Sequence, residues 1–166
     1  SRPVVGGSAA RLLATGVVLL APEETVMGAM LEGWEAQQHS RMLAGRTIER
    51  RSQIVRRFAE FTNDYPWRWG PADVEEWTAS LVSTGIAHST IRNYQMATSL
   101  FCGFLADVRY QWHEVCERYF GEHPVQVFHE WNTVVHRSEY EGRPGNRPLS
   151  RDELQTFFDY CDARVG

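Results

Sequence analysis

Four polar side chains recur along one predicted helix at spacings of four, three and four residues. They are Arg46, Arg50, Gln53 and Arg57, and Thr47 lies beside them. Such spacings place side chains on one face of an α-helix. That face is opposite the apolar residues Ile48, Val55 and Phe58. Because guanidinium groups bind phosphates and guanine edges, this arginine stripe predicts contact with DNA.

The distribution of charge allows two interpretations of the stripe. Residues 41–70 hold seven Arg and three acidic residues, a local charge of +4 in a chain whose net charge is −4. A DNA-facing helix in an otherwise acidic protein has this pattern. A solvated helix face with ion pairs, such as Glu60 with Arg56 or Arg57, has it too. All 17 basic residues are Arg. A GC-rich genome that prefers arginine codons would give this composition even if the protein bound no DNA.

A second candidate DNA-contacting group is predicted at the start of the fourth helix. Its members are His88, Ser89, Thr90, Arg92 and Asn93. Exposed N–H groups make helix N-termini suitable for phosphate, and Asn and Arg can read adenine and guanine. The alternative is that Ser89 is only the N-cap of the helix and that its neighbours face water.

No catalytic or metal-binding constellation is recognisable in the sequence. The run from His113 to Glu117 lacks the second His of an HExxH zinc motif. No two cysteines have the C-x2-C spacing of a zinc site, and the glycine-rich and nucleophile motifs of common enzymes are missing. We therefore predict no catalytic residue, no metal and no cofactor.

The apolar periodicity predicts an all-α chain. Stripes at spacings of three and four residues indicate helices that begin near Pro22 to Thr25, Thr47, Pro71 and Ser89, with a further helical turn or two after Pro124. The predicted organisation is a poorly ordered arm or packing segment (1–24), a helical domain (25–136), a linker (137–148) and one helix of a missing domain (149–166).

Cysteine usage and apolar content indicate an intracellular protein without a membrane span. Cys102, Cys116 and Cys161 are far apart in the sequence, which does not indicate a disulfide framework. The apolar stretch 12–21 is shorter than the ~20 residues that a transmembrane helix needs.

Three stretches together resemble the N-terminal portion of tyrosine recombinases, the phage-integrase family, and in particular its actinobacterial members. They are Thr47-Ile48 to Phe58-Ala59-Glu60-Phe61, Ser89-Thr90-Ile91-Arg92-Asn93-Tyr94 to Phe101 and Phe104-Leu105, and Arg147-Pro148-Leu149-Ser150-Arg151-Asp152-Glu153-Leu154-Gln155 followed by Phe158-Asp159. The first two are similar to the SAM-like core-binding domain, and the third is similar to the opening of the catalytic domain.

The resemblance implies a DNA-binding half of a site-specific recombinase that acts in DNA integration and recombination. Its second and fourth helices would face the major groove of double-stranded DNA, and the full protein would self-associate on DNA in the cytoplasm, at the nucleoid. The family's catalytic Arg, Lys, His and Tyr residues lie beyond the region of resemblance, so this chain alone should not cut DNA. Two alternatives are a helical protein-interaction module and an inactive integrase remnant.

Overall fold

The computed structural model describes residues 6–14 and 18–135. Within these ranges every regular element is helical and no strand occurs, which confirms the all-α prediction. The elements are α1 (Ala10–Ala14), α2 (Pro22–Ser40), α3 (Gly45–Thr62), α4 (Pro71–Ser83), α5 (His88–Ala106) and α6 (Trp112–Phe120), with 3₁₀ turns at Pro66–Arg68, Val108–Tyr110 and Glu130–Asn132. The predicted linker 137–148 and helix 149–166 lie outside the described residues.

Proline and glycine determine several helix ends, as the sequence predicts. Pro22 and Pro71 occupy the first turns of α2 and α4, where the missing N–H leaves no hydrogen bond unmade. Gly85 and Gly121 follow α4 and α6 with φ of +81° and +71°. Glycine adopts this left-handed conformation without a steric penalty and commonly ends helices.

The predicted N-cap of α5 is wrong by two residues. The sequence predicts that Ser89 caps the helix, but α5 begins at His88, and the N-cap residue Ala87 makes no side-chain capping hydrogen bond. The Ala87 carbonyl accepts from the N–H groups of Thr90 and Ile91, both at 3.0 Å. Ile91 is only 2% exposed, so packing of this first turn determines where the helix begins. Ser89 is an exposed residue within that turn.

The core is centred on Phe58 of α3, which is completely buried. Its ring centroid lies 4.7 Å from that of Trp69, 4.8 Å from Trp77 and 5.6 Å from Phe128. Helix α3 thus packs against α4, the turn before it and the segment after Pro124. The apolar spacing predicts that Phe61 also faces this core, but Phe61 is 40% exposed. A step of three residues from Phe58 falls about 60° short of a full helical turn, which places Phe61 at the edge of the buried face.

The segment after Pro124 is not the helical turn or two that its apolar residues predict. Val127 and Phe128 are buried in irregular backbone, and only Glu130–Asn132 forms a 3₁₀ turn. Side chains take the place of helical hydrogen bonds here. The Gln126 amide donates to the Ser99 carbonyl at 2.9 Å, and the Asn132 amide donates to the Val127 carbonyl at 2.8 Å. The Gln126 bond joins this segment to α5. The Asn132 bond is local, and local side-chain bonds of this kind compete with helix formation.

The described part of the N-terminal segment packs against the region around α6. The Trp112 indole N–H donates to the Gly7 carbonyl at 2.9 Å. The Ala9 N–H donates to the Tyr110 carbonyl at 2.8 Å, and Ala9 is 1% exposed. These long-range bonds extend the core to α1, and α2 begins at Pro22, before the predicted domain boundary at residue 25.

Candidate nucleic-acid interface

The arginine stripe lies on the outer face of α3. Its members are all exposed: Arg46, Thr47, Arg50, Gln53 and Arg57. The opposite face holds Ile48, Val55 and Phe58, whose exposures are 2%, 0% and 0%. From Arg46 to Arg57 the stripe extends about 16 Å along the helix axis, at 1.5 Å per residue. The helix presents this row of cations because its buried residues determine its rotation about its own axis.

None of the stripe arginines has an acidic partner within the described part of the chain. The arginine ion pairs found there belong to Arg68, with Glu23, Asp64 and Glu122, and to Arg109, with Asp107. The ion pair that the alternative interpretation expects between Glu60 and Arg56 or Arg57 does not form in these residues. The stripe therefore presents guanidinium groups that form no ion pair with a carboxylate of the described residues.

Arg57 contacts α5 through the aromatic ring of Tyr94. Its guanidinium carbon lies 5.3 Å from the ring centroid, and its Nη1 donates to the Tyr94 hydroxyl oxygen at 3.4 Å. Arg50, Gln53 and Ile54 line the same notch, which has a volume of about 220 Å³. This contact restricts the side chain of Arg57 and brings one phenol to the stripe.

The sequence pattern places Tyr94 only on the buried side of α5. Its ring does stack on that of Trp77, with centroids 6.0 Å apart and an interplanar angle of 13°. Its half-buried position leaves the hydroxyl edge at the arginine stripe. No local pattern could have predicted this contact, because it depends on how α3 and α5 pack together.

Arg51 follows Arg50 of the stripe in the sequence, but its side chain has a different environment. It is half-buried, and its Nη1 donates to the Gln38 side-chain oxygen at 3.0 Å. Gln38 is 2% exposed, and its own amide donates to the Trp34 carbonyl at 3.3 Å. Arg51 thus faces α2, whereas Arg56 is exposed on α3.

The candidate residues of α5 lie along its first two turns. Ser89, Arg92 and Asn93 are exposed, and His88 and Thr90 are half-buried. None of the five forms a hydrogen bond, an ion pair or a ring contact with the arginine stripe among the described residues, whereas Tyr94 of α5 contacts Arg57. Asn93 adjoins Tyr94 in sequence but is not among the residues that line the notch.

The described residues contain no group of three or more His, Cys, Asp or Glu side chains that could hold a metal ion. Cys102 and Cys116 are buried and unpaired. Burial raises the pKa of the Cys102 thiol to about 12 and that of Cys116 to about 12. A thiol with so high a pKa is almost entirely protonated at neutral pH and is a poor nucleophile.

Comparisons with models of protein families, with curated proteins and with solved structures gave no match for this chain. Among the described helices, none combines the length and the apolar composition required to cross a bilayer. The exposed arginine stripe, which has no ion pairs within the described residues, and its Tyr94 contact are thus the features that bear on function.

Proposed function

We propose that this protein binds double-stranded DNA through the arginine stripe of α3, as the DNA-binding half of a site-specific tyrosine recombinase. The observation that carries the proposal is the row of exposed arginines without acidic partners in the described residues. Guanidinium groups bind phosphate oxygens through charge-assisted, often bidentate hydrogen bonds. A rigid helix with several such groups along one face has the form of a phosphate-contacting element.

The net charge of −4 makes the location of the arginines important. A protein with this overall charge has no general attraction to nucleic acid, so binding depends on local concentration of positive charge. The arginine stripe provides this local positive charge. The contact with Tyr94 already restricts the Arg57 side chain, so fewer of its conformations are lost on binding. A guanidinium held in place loses less conformational entropy when it meets a phosphate.

In this proposal, the polar side chains of α5 contact the edges of the DNA bases. Arg92 and Asn93 are exposed near the start of the helix, and these residue types recognise guanine and adenine through paired hydrogen bonds. The resemblance to the core-binding domain of tyrosine recombinases gives α3 and α5 the same role. Cleavage of DNA would require a catalytic domain in addition to this helical domain.

Binding of fluorescently labelled duplexes of several sequences tests the proposal. Replacing Arg46, Arg50 and Arg57 together with Ala should weaken binding to every sequence by a similar factor, because phosphate contacts carry no sequence information. Asn93→Ala should instead weaken binding to some sequences more than to others. Circular dichroism should show that the triple variant stays folded, since all three side chains are exposed. Equal binding by the parent and the triple variant would contradict the proposal.

A further inference from the structure

A second cationic site lies away from the arginine stripe. A groove of about 540 Å³ opens between α2, α3, the second half of α5 and the Val108–Tyr110 turn. Its polar lining includes Gln38, Arg41, Arg51, Asp107, Arg109 and Gln126. The described lining of the groove therefore contains three arginines and one acidic residue.

Among the described residues that line the groove, the one carboxylate is that of Asp107, and both of its oxygens accept hydrogen bonds from Arg109. Asp107 accepts from the Arg109 side chain at 3.0 Å through Nε and at 2.6 Å through Nη2, and from the Arg109 backbone N–H at 2.9 Å. Asp107 and Arg109 thus neutralise each other. Arg41 and Arg51 form no ion pair with any described acidic residue, so the groove retains about two uncompensated positive charges.

Arg51 is held in position before any ligand arrives. Its Nη1 donates to the buried Gln38 side chain at 3.0 Å, and Gln38 is itself fixed by its bond to the Trp34 carbonyl. A guanidinium has five N–H donors, so most of those on Arg51 remain available. The Arg41 side chain is exposed at the end of α2 and makes no hydrogen bond with any residue that the structure describes.

We propose that this groove binds a phosphate-bearing anion, with Arg41 and Arg51 as its main donors. Two uncompensated guanidinium groups match the charge and the tetrahedral oxygens of a phosphate. The groove is larger than one phosphate ion, so it suits a phosphorylated small molecule or a phosphate of a nucleic-acid backbone. The site does not depend on the proposed DNA-binding face, because Arg51 faces α2 rather than the stripe.

Titration of the ¹⁵N-labelled full chain with inorganic pyrophosphate, at constant ionic strength with chloride as the balancing anion, tests this site. We expect saturable NMR shifts of the side-chain resonances of Gln38, Gln126 and Arg51. Arg41→Gln and Arg51→Gln should each weaken the affinity by about tenfold, the loss of one charge-assisted hydrogen-bonding group. Arg56→Gln is the matched control, because Arg56 is exposed on the same helix and lies outside the groove.

A second titration with a short DNA duplex distinguishes the source of the phosphate. Shifts with pyrophosphate support a small phosphorylated ligand. Shifts with the duplex alone, lost in Arg41→Gln, support a backbone phosphate in the same site. If Arg51→Gln disturbs packing around Gln38, Arg41→Gln still tests the site, because the exposed Arg41 side chain forms no hydrogen bond or ion pair with the described residues. The proposal is overturned if neither probe shifts the groove resonances, or if Arg56→Gln weakens binding as much as the two groove variants do.

Discussion

The guanidinium of Arg57 lies 5.3 Å from the ring centroid of Tyr94 and donates to its hydroxyl at 3.4 Å. This contact joins α3 to α5 at the proposed DNA-binding face. A cation over an aromatic ring at an exposed site contributes about 0.5–1 kcal/mol. Tyr94 therefore acts on the proposed interface by positioning Arg57.

Tyr94→Leu should reduce affinity for duplex DNA by about two- to fivefold, the equivalent of one exposed cation–π contact. Tyr94→Phe keeps the ring and its stack on Trp77, so it should bind nearly as well as the parent. Fluorescence anisotropy at a temperature well below the unfolding midpoint of each variant measures the difference. Equal losses in the two variants would show that the hydroxyl, and not the ring, is the important group.

Replacing two glycines of α2 with alanine should have opposite effects on the free energy of unfolding. A Cβ on Gly33 would lie 2.7 Å from the Gly7 carbonyl oxygen and 3.2 Å from the Trp112 ring. Gly33→Ala should therefore destabilise the protein by about 1–3 kcal/mol through overpacking. A Cβ on Gly28 would meet nothing within 4 Å. Gly28→Ala should instead stabilise by about 0.5–1 kcal/mol, because alanine favours the helix.

Urea unfolding of the two variants beside the parent measures both effects. The pair is well matched, because both changes add one methyl group to the same helix. If Gly33→Ala were as stable as the parent, the close approach of Gly7 to α2 would be wrong. The binding of duplex DNA should be the same in both variants, since neither glycine lies on α3 or α5.

The hydrogen bond from the Arg109 side chain holds the pKa of Asp107 below its ordinary value of 3.8. A carboxylate whose pKa is lower in the folded state stabilises the fold above its unfolded pKa, and this stabilisation is lost as the pH falls through the folded value. Asp107→Asn should be less stable than the parent at pH 7. The difference should shrink as the pH falls below 3.8.

Urea denaturation across this pH range checks the prediction. Asn is the suitable replacement, because its side-chain oxygen can still accept from the Arg109 backbone N–H, as Asp107 does at 2.9 Å. The variant therefore removes the charge and keeps the cap. A stability difference that stayed constant with pH would mean that the ion pair contributes nothing.

Cys102 and Cys116 should resist alkylation in the folded protein. Both are buried, and their raised pKa values leave almost no thiolate at neutral pH. Treatment with iodoacetamide at pH 7.5, followed by peptide mass spectrometry, should show modification of these two cysteines only after urea is added. Rapid labelling of either residue without urea would contradict its burial against the core.

Periodicity and turn residues are sufficient to predict the helical class, the first turns at Pro22 and Pro71, and the exposure of the arginine stripe. These features depend on local spacing, which a sequence displays directly. Tertiary packing determines the rest. Arg51 turns toward Gln38, Tyr94 reaches Arg57, and the segment after Pro124 exchanges helical hydrogen bonds for side-chain bonds. Each of these contacts joins residues from separate elements, so no single segment could predict it.

The salt dependence of DNA binding tests the central claim most directly. The logarithm of affinity falls with the logarithm of salt concentration, with a slope of about −0.9 per phosphate contact. Arg50→Ala combined with Arg57→Ala should reduce the magnitude of the slope by about 1.8, the equivalent of two contacts.

The double variant Arg68→Ala with Arg118→Ala is the control, because it changes the net charge equally. Arg68 is paired with acidic residues, and Arg118 donates to the Leu13 carbonyl. That control should leave the slope nearly unchanged. Equal slopes for the parent and the stripe variant, or equal reductions in both double variants, would contradict DNA binding through α3.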